Sequence, residues 1–183
     1  IQAVVELSID SLKEKKKVVS SFDTPQIVVL TQDTLMVTKL YKALRDKYAL
    51  SKGLAKGGIE VRVWKLFARH IPIKDQEEAL KVKNEGQIIN VFIGTPNRIK
   101  ALASNKVLKL ESSKLRSLIL DCTVNNKGFT LFETHEPRDD TINLMLKAHR
   151  RLLARKLKIY LACGHDVIKF LRHFFLWGFG VLG

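Results

Sequence analysis

The chain has 183 residues, 46% of them hydrophobic and 27% charged, which is typical of one globular domain with a single core. Its 32 Lys and Arg residues outnumber its 18 Asp and Glu residues, and the resulting net charge of +14 favours a polyanionic partner, nucleic acid before membrane. The alternative is a generically basic protein whose charge serves only solubility.

The cysteines and the apolar tail indicate in which cellular environment the chain is expected. Cys122 and Cys163 are too few and too far apart for a disulfide framework, so we expect a reducing compartment. The apolar tail over residues 170–183 has no uninterrupted run near the roughly 20 residues that span a bilayer. We therefore expect no membrane partner.

The N-terminal stretch differs in composition from the rest of the chain. Residues 1–25 contain the basic run Lys13–Lys17 and are expected to form an extension with a solvated basic face. Residues 26–183 are expected to form one α/β domain that ends in the apolar tail.

Five short runs rich in Val, Ile and Leu predict β-strands. Most of them are apolar at successive positions, as strands of a parallel sheet are when both of their faces are buried. The predicted strands are Gln26–Leu30, Glu60–Phe67, Ile89–Gly94, Leu115–Asp121 and Leu157–Ala162.

Helical patterns separate these strands. Apolar residues recur at helical spacing over Leu35–Tyr48 and Thr141–Lys156, and Asp75 with Glu78 resembles a capping box for a helix that would end at Gly86. Alternating strands and helices predict a parallel sheet of at least five strands, with helices on both faces.

A long polar segment over residues 123–140 follows the fourth predicted strand. Loops of this length in compact α/β domains are often functional or disordered. The segment also begins at the carboxyl end of a strand, where open sheets collect their ligands.

The sequence "GTPNR" places a possible anion site after the third predicted strand. Thr95 is a natural N-cap, Pro96 suits the first helical position, and the first-turn N–H groups would then point at the same spot as Arg98. An unpaired arginine is unfavourable at a helix N-terminus, and a bound phosphate would reverse that cost. As an exposed first-turn residue, Arg98 should tolerate substitution with little change in folding. The alternatives are that Arg98 pairs with a carboxylate such as Asp121 or points into water.

The residues give no sign of catalysis. Asp121 ends a hydrophobic strand, as does the aspartate that holds magnesium in P-loop enzymes, but Cys122 follows it, so no adjacent carboxylate can act as a base. The glycines of residues 53–58 are not followed by the lysine of a phosphate-binding loop. Cys163 and His165 are too few for a closed zinc site. We expect no catalytic residue, metal, cofactor or small-molecule substrate.

Taken in order, these segments resemble the first RecA lobe of DEAD-box RNA helicases. Residues 30–44, "LTQDTLMVTKLYKAL", resemble the segment around their "PTRELA" motif, and "GTPNR" resembles "GTPGR". "LILDC" stands where "LVLDEAD" would, and "IYLACG" where a strand ends in "SAT". The resemblance implies that RNA is contacted at Thr31, Gln32, Thr95, Pro96, Asn97 and Arg98.

The departures from that pattern point to a particular family. The "DEAD" position reads "DCTV", starting with Asp121 and Cys122, the ATP-binding lysine motif is absent from these residues, and we expect no second lobe. With "KLFARHI" over residues 65–71, the chain is most similar to the Cms-type small-subunit ribosome-biogenesis family. That resemblance implies a degenerate helicase-like lobe in the nucleolus, bound to pre-ribosomal RNA and to other ribosome-assembly proteins.

Two other functions stay open at this point. One is an active RNA-dependent ATPase whose nucleotide loop lies upstream of Ile1 or comes from a partner. The other is a scaffold that binds only proteins.

Overall fold

The computed structural model describes residues 1–16, 19–21, 23–49, 59–69, 71–81, 83–149, 156–163 and 166–170. In these ranges the elements are α1 (Gln2–Glu14), β1 (Val19–Ser21), β2 (Ile27–Leu30), α2 (Thr34–Ala49), β3 (Glu60–Leu66), α3 (Ile73–Lys81), β4 (Lys83–Gly94), α4 (Pro96–Ser104), β5 (Ser117–Asp121), α5 (His135–Lys147), β6 (Lys158–Cys163) and β7 (Asp166–Phe170).

All five predicted strands lie in one sheet and run parallel, in the order β3-β4-β2-β5-β6. Two further strands, which the sequence did not predict, are antiparallel. β1 pairs with the first half of β4, and β7 pairs with β6. The predicted α/β class with a parallel sheet of at least five strands is therefore confirmed.

Each parallel strand divides its side chains between two hydrophobic cores, because successive residues point to opposite faces of the sheet. Val28 and Leu30 pack towards α3, α4 and α5, and Ile27 and Val29 pack towards α1 and α2. The helices thus cover both faces, as buried parallel strands require.

Helix α1 is part of the second core. Val5 and Ile9 are fully buried there, and the exposed residues of the basic run, Lys15 and Lys16, come directly after the helix. The domain boundary at residue 26 stays a prediction. None of the helices in the described ranges is long and apolar enough to cross a bilayer.

Three predicted helix boundaries are wrong. Helix α3 begins at Ile73, so Asp75 lies inside its first turn and does not cap it, and Gly86 belongs to β4. Helix α5 begins at His135, which shortens the predicted loop. Pro137 is compatible with that start because the first-turn N–H groups have no intrahelical acceptor in any case. Residues 150–155, the second half of the predicted stripe, and the tail over 171–183 lie outside the described residues.

The end of β4 passes very close to β3. A Cβ atom added at Gly94 would lie 2.2 Å from the Leu66 carbonyl oxygen and 2.8 Å from the Leu66 Cβ. Only glycine fits at this position without a shift of the β3 main chain.

Replacing Gly94 by Ala should lower the free energy of unfolding by about 2 kcal/mol or more, because the backbone of a buried strand must move to admit the methyl group. Urea denaturation measures the change. Asn126→Ala, on an exposed loop, is the matched control and should stay within about 0.5 kcal/mol. An unchanged midpoint for Gly94→Ala would show that β3 and β4 do not approach this closely.

Candidate functional site

The loops after β2, β3 and β4 meet at the carboxyl edge of the sheet. The Thr31 N–H donates to the Gly94 carbonyl at 3.1 Å, and the Thr95 N–H donates to the Leu66 carbonyl at 3.0 Å. These bonds extend the parallel pairing one residue past the strands. The structure thus brings the predicted residues of the β2–α2 and β4–α4 loops together.

The β2–α2 loop uses its two predicted contact residues internally. Thr31 is 1% exposed, and its hydroxyl accepts a hydrogen bond from the Asp33 N–H at 3.2 Å. The Gln32 side-chain amide donates to the Phe129 carbonyl, and its side-chain oxygen accepts a bond from the Thr134 hydroxyl at 3.4 Å. Thr31 therefore shapes its own loop, whereas Gln32 joins that loop to the one after β5.

The loop after β5 contains a well-bonded turn. The Asn125 side-chain oxygen accepts bonds from the N–H groups of Lys127 and Phe129 at 2.8 and 3.1 Å. Gly128 adopts a φ of 85°, in the left-handed region that glycine tolerates. The turn leaves Lys127 and the ring of Phe129 exposed beside Gln32. The sequence "NNKGF" is typical of such a turn, but nothing in the sequence indicates its contact with Gln32.

Helix α4 begins at the same edge with an uncapped N-terminus. Thr95 is the N-cap residue with φ −78° and ψ 144°, and Pro96 follows it, as predicted, but the Thr95 hydroxyl makes no capping bond. The N–H groups of Asn97 and Arg98 therefore have neither an intrahelical acceptor nor a cap from Thr95. Asn97 is exposed beside them. This arrangement suits an anion.

The Arg98 side chain does not lie on the surface. It is 7% exposed, and its Nη2 atom donates to the Ile71 carbonyl at 2.9 Å. Its Nη1 atom is buried without a hydrogen-bond partner among the described residues. Burial also lowers the pKa of the guanidinium. The expectation of an exposed first-turn arginine is therefore wrong, and so is the alternative of pairing with Asp121.

A second buried side chain holds the same loop as Arg98. Gln76 of α3 donates from Nε2 to the Phe67 carbonyl at 3.4 Å, and its Oε1 atom is buried without a partner among the described residues. Gln76 and Arg98 thus hold the two ends of the β3–α3 loop, whose residues Ala68 and Arg69 are exposed. Nothing in the sequence indicates this role of Gln76, because its partner is a main-chain carbonyl.

The degenerate "DEAD" position is closed by internal bonds. Asp121 is 3% exposed, and one of its carboxylate oxygens accepts bonds from both the N–H and the hydroxyl of Thr123, at 3.0 and 2.5 Å. Burial raises the pKa of the Cys122 thiol to about 12, and the neighbouring Cys163 adds to the shift.

The sequence of the chain matches a known protein family. The model of the CMS1 family, the U3-containing 90S pre-ribosomal complex subunit, matches residues 2–161. The chain belongs to the CMS1 family. Protein CMSS1 of Xenopus laevis is 37% identical to it over 87 residues, which cover 47% of this chain and 29% of that protein. The chain thus spans less than a third of that relative, and the predicted Cms-type family is confirmed.

A solved structure supports the fold. It is a complex of a variant of S. cerevisiae Dbp5 with Nup159, a Gle1 variant, IP6 and ADP. The match has a TM-score of 0.53 at 15% identity and covers 82% of this chain and 32% of that chain. At this identity the likeness supports the RecA-like lobe and nothing about ligands.

In this CMS1-family chain, exposed basic residues surround the carboxyl edge. Arg69, Lys74 and Lys127 are exposed on the loops and first turns that begin there. Two carboxylates, those of Asp75 and Glu136, are exposed in the first turns of α3 and α5, whereas two others of the same edge are engaged in local bonds. Asp33 accepts from the Leu35 N–H at 2.8 Å, and Glu133 accepts from the Thr130 N–H at 2.7 Å, a bond that lowers the pKa of Glu133. The edge therefore offers cations and helix N–H groups to an anion.

Replacing Arg98 by Glu should lower the free energy of unfolding by about 3 kcal/mol or more, because it removes the bond to Ile71 and leaves a carboxylate buried without a partner. Arg98→Met should cost less, since it retains much of the volume and buries no charge. Lys15→Glu, on the exposed basic run, is the control and should stay within about 0.5 kcal/mol. Urea denaturation compares the three variants. If Arg98→Glu is as stable as Lys15→Glu, the Arg98 side chain points into solvent.

Proposed function

We propose that this domain is a non-catalytic RNA-binding assembly factor of the small ribosomal subunit, which acts in the nucleolus on pre-ribosomal RNA together with other assembly proteins. The CMS1 family supports the ribosome-biogenesis role. The observation that carries the RNA-binding proposal is the convergence of three loops and the uncapped start of α4 at one edge of a chain with a net charge of +14.

The RNA backbone is proposed to lie across the first turn of α4. There the N–H groups of Asn97 and Arg98 suit a phosphate, and the half-buried Thr95 and the exposed Asn97 border it, whereas Pro96 is buried. Gln32 borders the same track from the neighbouring loop. Arg69 and Lys74 supply charge beside it.

Arg98 and Thr31 support this surface from beneath it. Both side chains are buried, and each is hydrogen-bonded to the main chain of a loop that forms the edge. Their proposed contribution to RNA binding is therefore to hold the loops that carry the contacts. The helicase resemblance implies that the two side chains contact RNA directly, and this indirect role takes the place of those contacts.

The non-catalytic part of the proposal is based on Asp121 and Cys122. The Asp121 carboxylate already binds Thr123 twice through one oxygen, and Cys122 stays a neutral thiol at neutral pH because its pKa is raised. Together with the missing phosphate-loop lysine, this leaves neither a base for water nor a cation for the transferred phosphoryl group.

Charge reversal at the carboxyl edge tests RNA binding. The double variant Arg69→Glu with Lys74→Glu should weaken binding of single-stranded RNA by about tenfold or more and lower the salt slope by about one to two charges. The matched control is Lys114→Glu with Lys158→Glu, which makes the same change in net charge at the amino edge of the sheet. Fluorescence anisotropy over a salt series measures both quantities, and urea denaturation verifies folding.

The outcomes separate the possible functions. An equal loss in the two double variants would mean general basicity instead of a site. No measurable binding by the unmodified chain would favour the protein scaffold.

The same proposal predicts that ATP with magnesium does not bind at micromolar concentration, because the phosphate-loop lysine and a second carboxylate next to Asp121 are both missing. Calorimetric titration with and without RNA measures this. If ATP binding or turnover is detected, the isosteric variant Asp121→Asn shows whether it depends on the Asp121 carboxylate. Micromolar binding, or turnover that Asp121→Asn abolishes, would favour the active ATPase.

A further inference from the structure

The only two cysteines of the chain lie opposite each other where β5 and β6 end. The parallel register runs from Ser117 opposite Lys158 to Asp121 opposite Ala162. The Cys122 N–H continues this pairing by donating to the Ala162 carbonyl at 2.9 Å. The next pair in register is therefore Cys122 with Cys163.

Residues paired in this way point to the same face of the sheet. Neighbouring strands lie about 4.8 Å apart, which falls within the roughly 4.4–6.8 Å between Cα atoms that disulfides span. Both thiols are free and partly exposed, so a small reagent can reach them.

The environment of the two sulfurs is asymmetric. Burial raises the pKa of Cys122 to about 12, and the nearby Cys163 thiol and the Asp121 carboxylate raise it further. The Cys122 thiol itself donates to the Leu120 carbonyl at 3.7 Å. Cys122 therefore stays protonated at neutral pH. The first oxidation is expected at Cys163 rather than at Cys122, because a protonated thiol is the less reactive form.

We propose that Cys122 and Cys163 form a dithiol site that a two-electron oxidant of the peroxide class converts into an intrachain disulfide. The dithiol is the resting form in a reducing compartment. The proposal is independent of RNA binding, since it is based only on the register of β5 and β6 and on the two thiols.

The reaction balances in two steps. The Cys163 thiolate attacks one oxygen of hydrogen peroxide, an S–O bond forms as the O–O bond breaks, and hydroxide leaves and is protonated to water. The Cys122 sulfur then attacks the sulfenic sulfur, the S–S bond forms as the S–O bond breaks, and a second water leaves with the Cys122 proton. Two thiols lose two electrons and peroxide gains them.

The disulfide would join the carboxyl ends of β5 and β6 directly. It would close a loop that contains the turn at Asn125 and all of α5. Because Gln32 is bonded to that loop, the link would lie within the same edge of the sheet as the uncapped start of α4.

Peroxide titration of the reduced chain tests the proposal. After oxidation and alkylation, the chain should lose both alkylatable thiols, remain monomeric and lose the mass of two hydrogen atoms, and a phosphine reductant should restore both thiols. Peptide mapping should find Cys122 linked to Cys163. Thiols that remain alkylatable, sulfinic acid at Cys163, or disulfides only between chains would overturn the proposal.

A second probe tests the proximity of the sulfurs without oxidation. Phenylarsine oxide bridges two nearby thiols, so the reduced chain should bind it, and Cys122→Ser or Cys163→Ser should each weaken binding by about a hundredfold or more through loss of the second sulfur. Arsenical binding without disulfide formation would show neighbouring thiols that cannot close the bond, and would also overturn the proposal. Both readouts on the unmodified chain are decisive even if a serine variant fails to fold.

Discussion

The close approach of β4 to β3 at Gly94 determines how the carboxyl edge is built. Because no side chain separates Gly94 from Leu66, the Thr95 N–H reaches the Leu66 carbonyl, and helix α4 starts directly above the end of β3. The β3–α3 loop must then pass over the first turn of α4. Along that path the Arg98 side chain is buried and bonded to the Ile71 carbonyl, whereas the neighbouring Asn97 is exposed.

A buried arginine in the first turn of a helix is unfavourable on two counts, desolvation and the helix dipole, and desolvation lowers its pKa accordingly. What the domain gains is a fixed loop. Arg98 and Gln76 each bind a main-chain carbonyl at one end of residues 67–71, and each keeps one buried polar atom without a partner among the described residues. A buried donor and a buried acceptor that both reach one loop indicate that the position of the loop, rather than maximal stability, is what this cluster provides.

The sequence predicted structure correctly where a local pattern of residues fits only one kind of element. Runs apolar at successive positions predicted all five parallel strands, and Thr95 with Pro96 marked the start of α4. The sequence was misleading where a side chain bonds to a main-chain carbonyl that is distant along the chain. Arg98 binds Ile71 and Gln32 binds Phe129, and neither spacing has a local signature. Asp75 and Glu78 fit a capping pattern by composition, but the helix starts at Ile73, before the pair that suggested its cap.

The carboxyl edge consists of two halves with different chemistry. At β5 and β6 the polar groups satisfy one another, since Asp121 is bound by Thr123 and the Cys122 thiol lies beside Cys163. At β4 the first turn of α4 keeps N–H groups without a cap, and exposed cations surround it. One oxygen of the Asp121 carboxylate is already engaged by two hydrogen bonds, whereas the first-turn N–H groups of α4 have no cap from Thr95. This asymmetry favours the α4 half of the edge as the place of the proposed RNA contact.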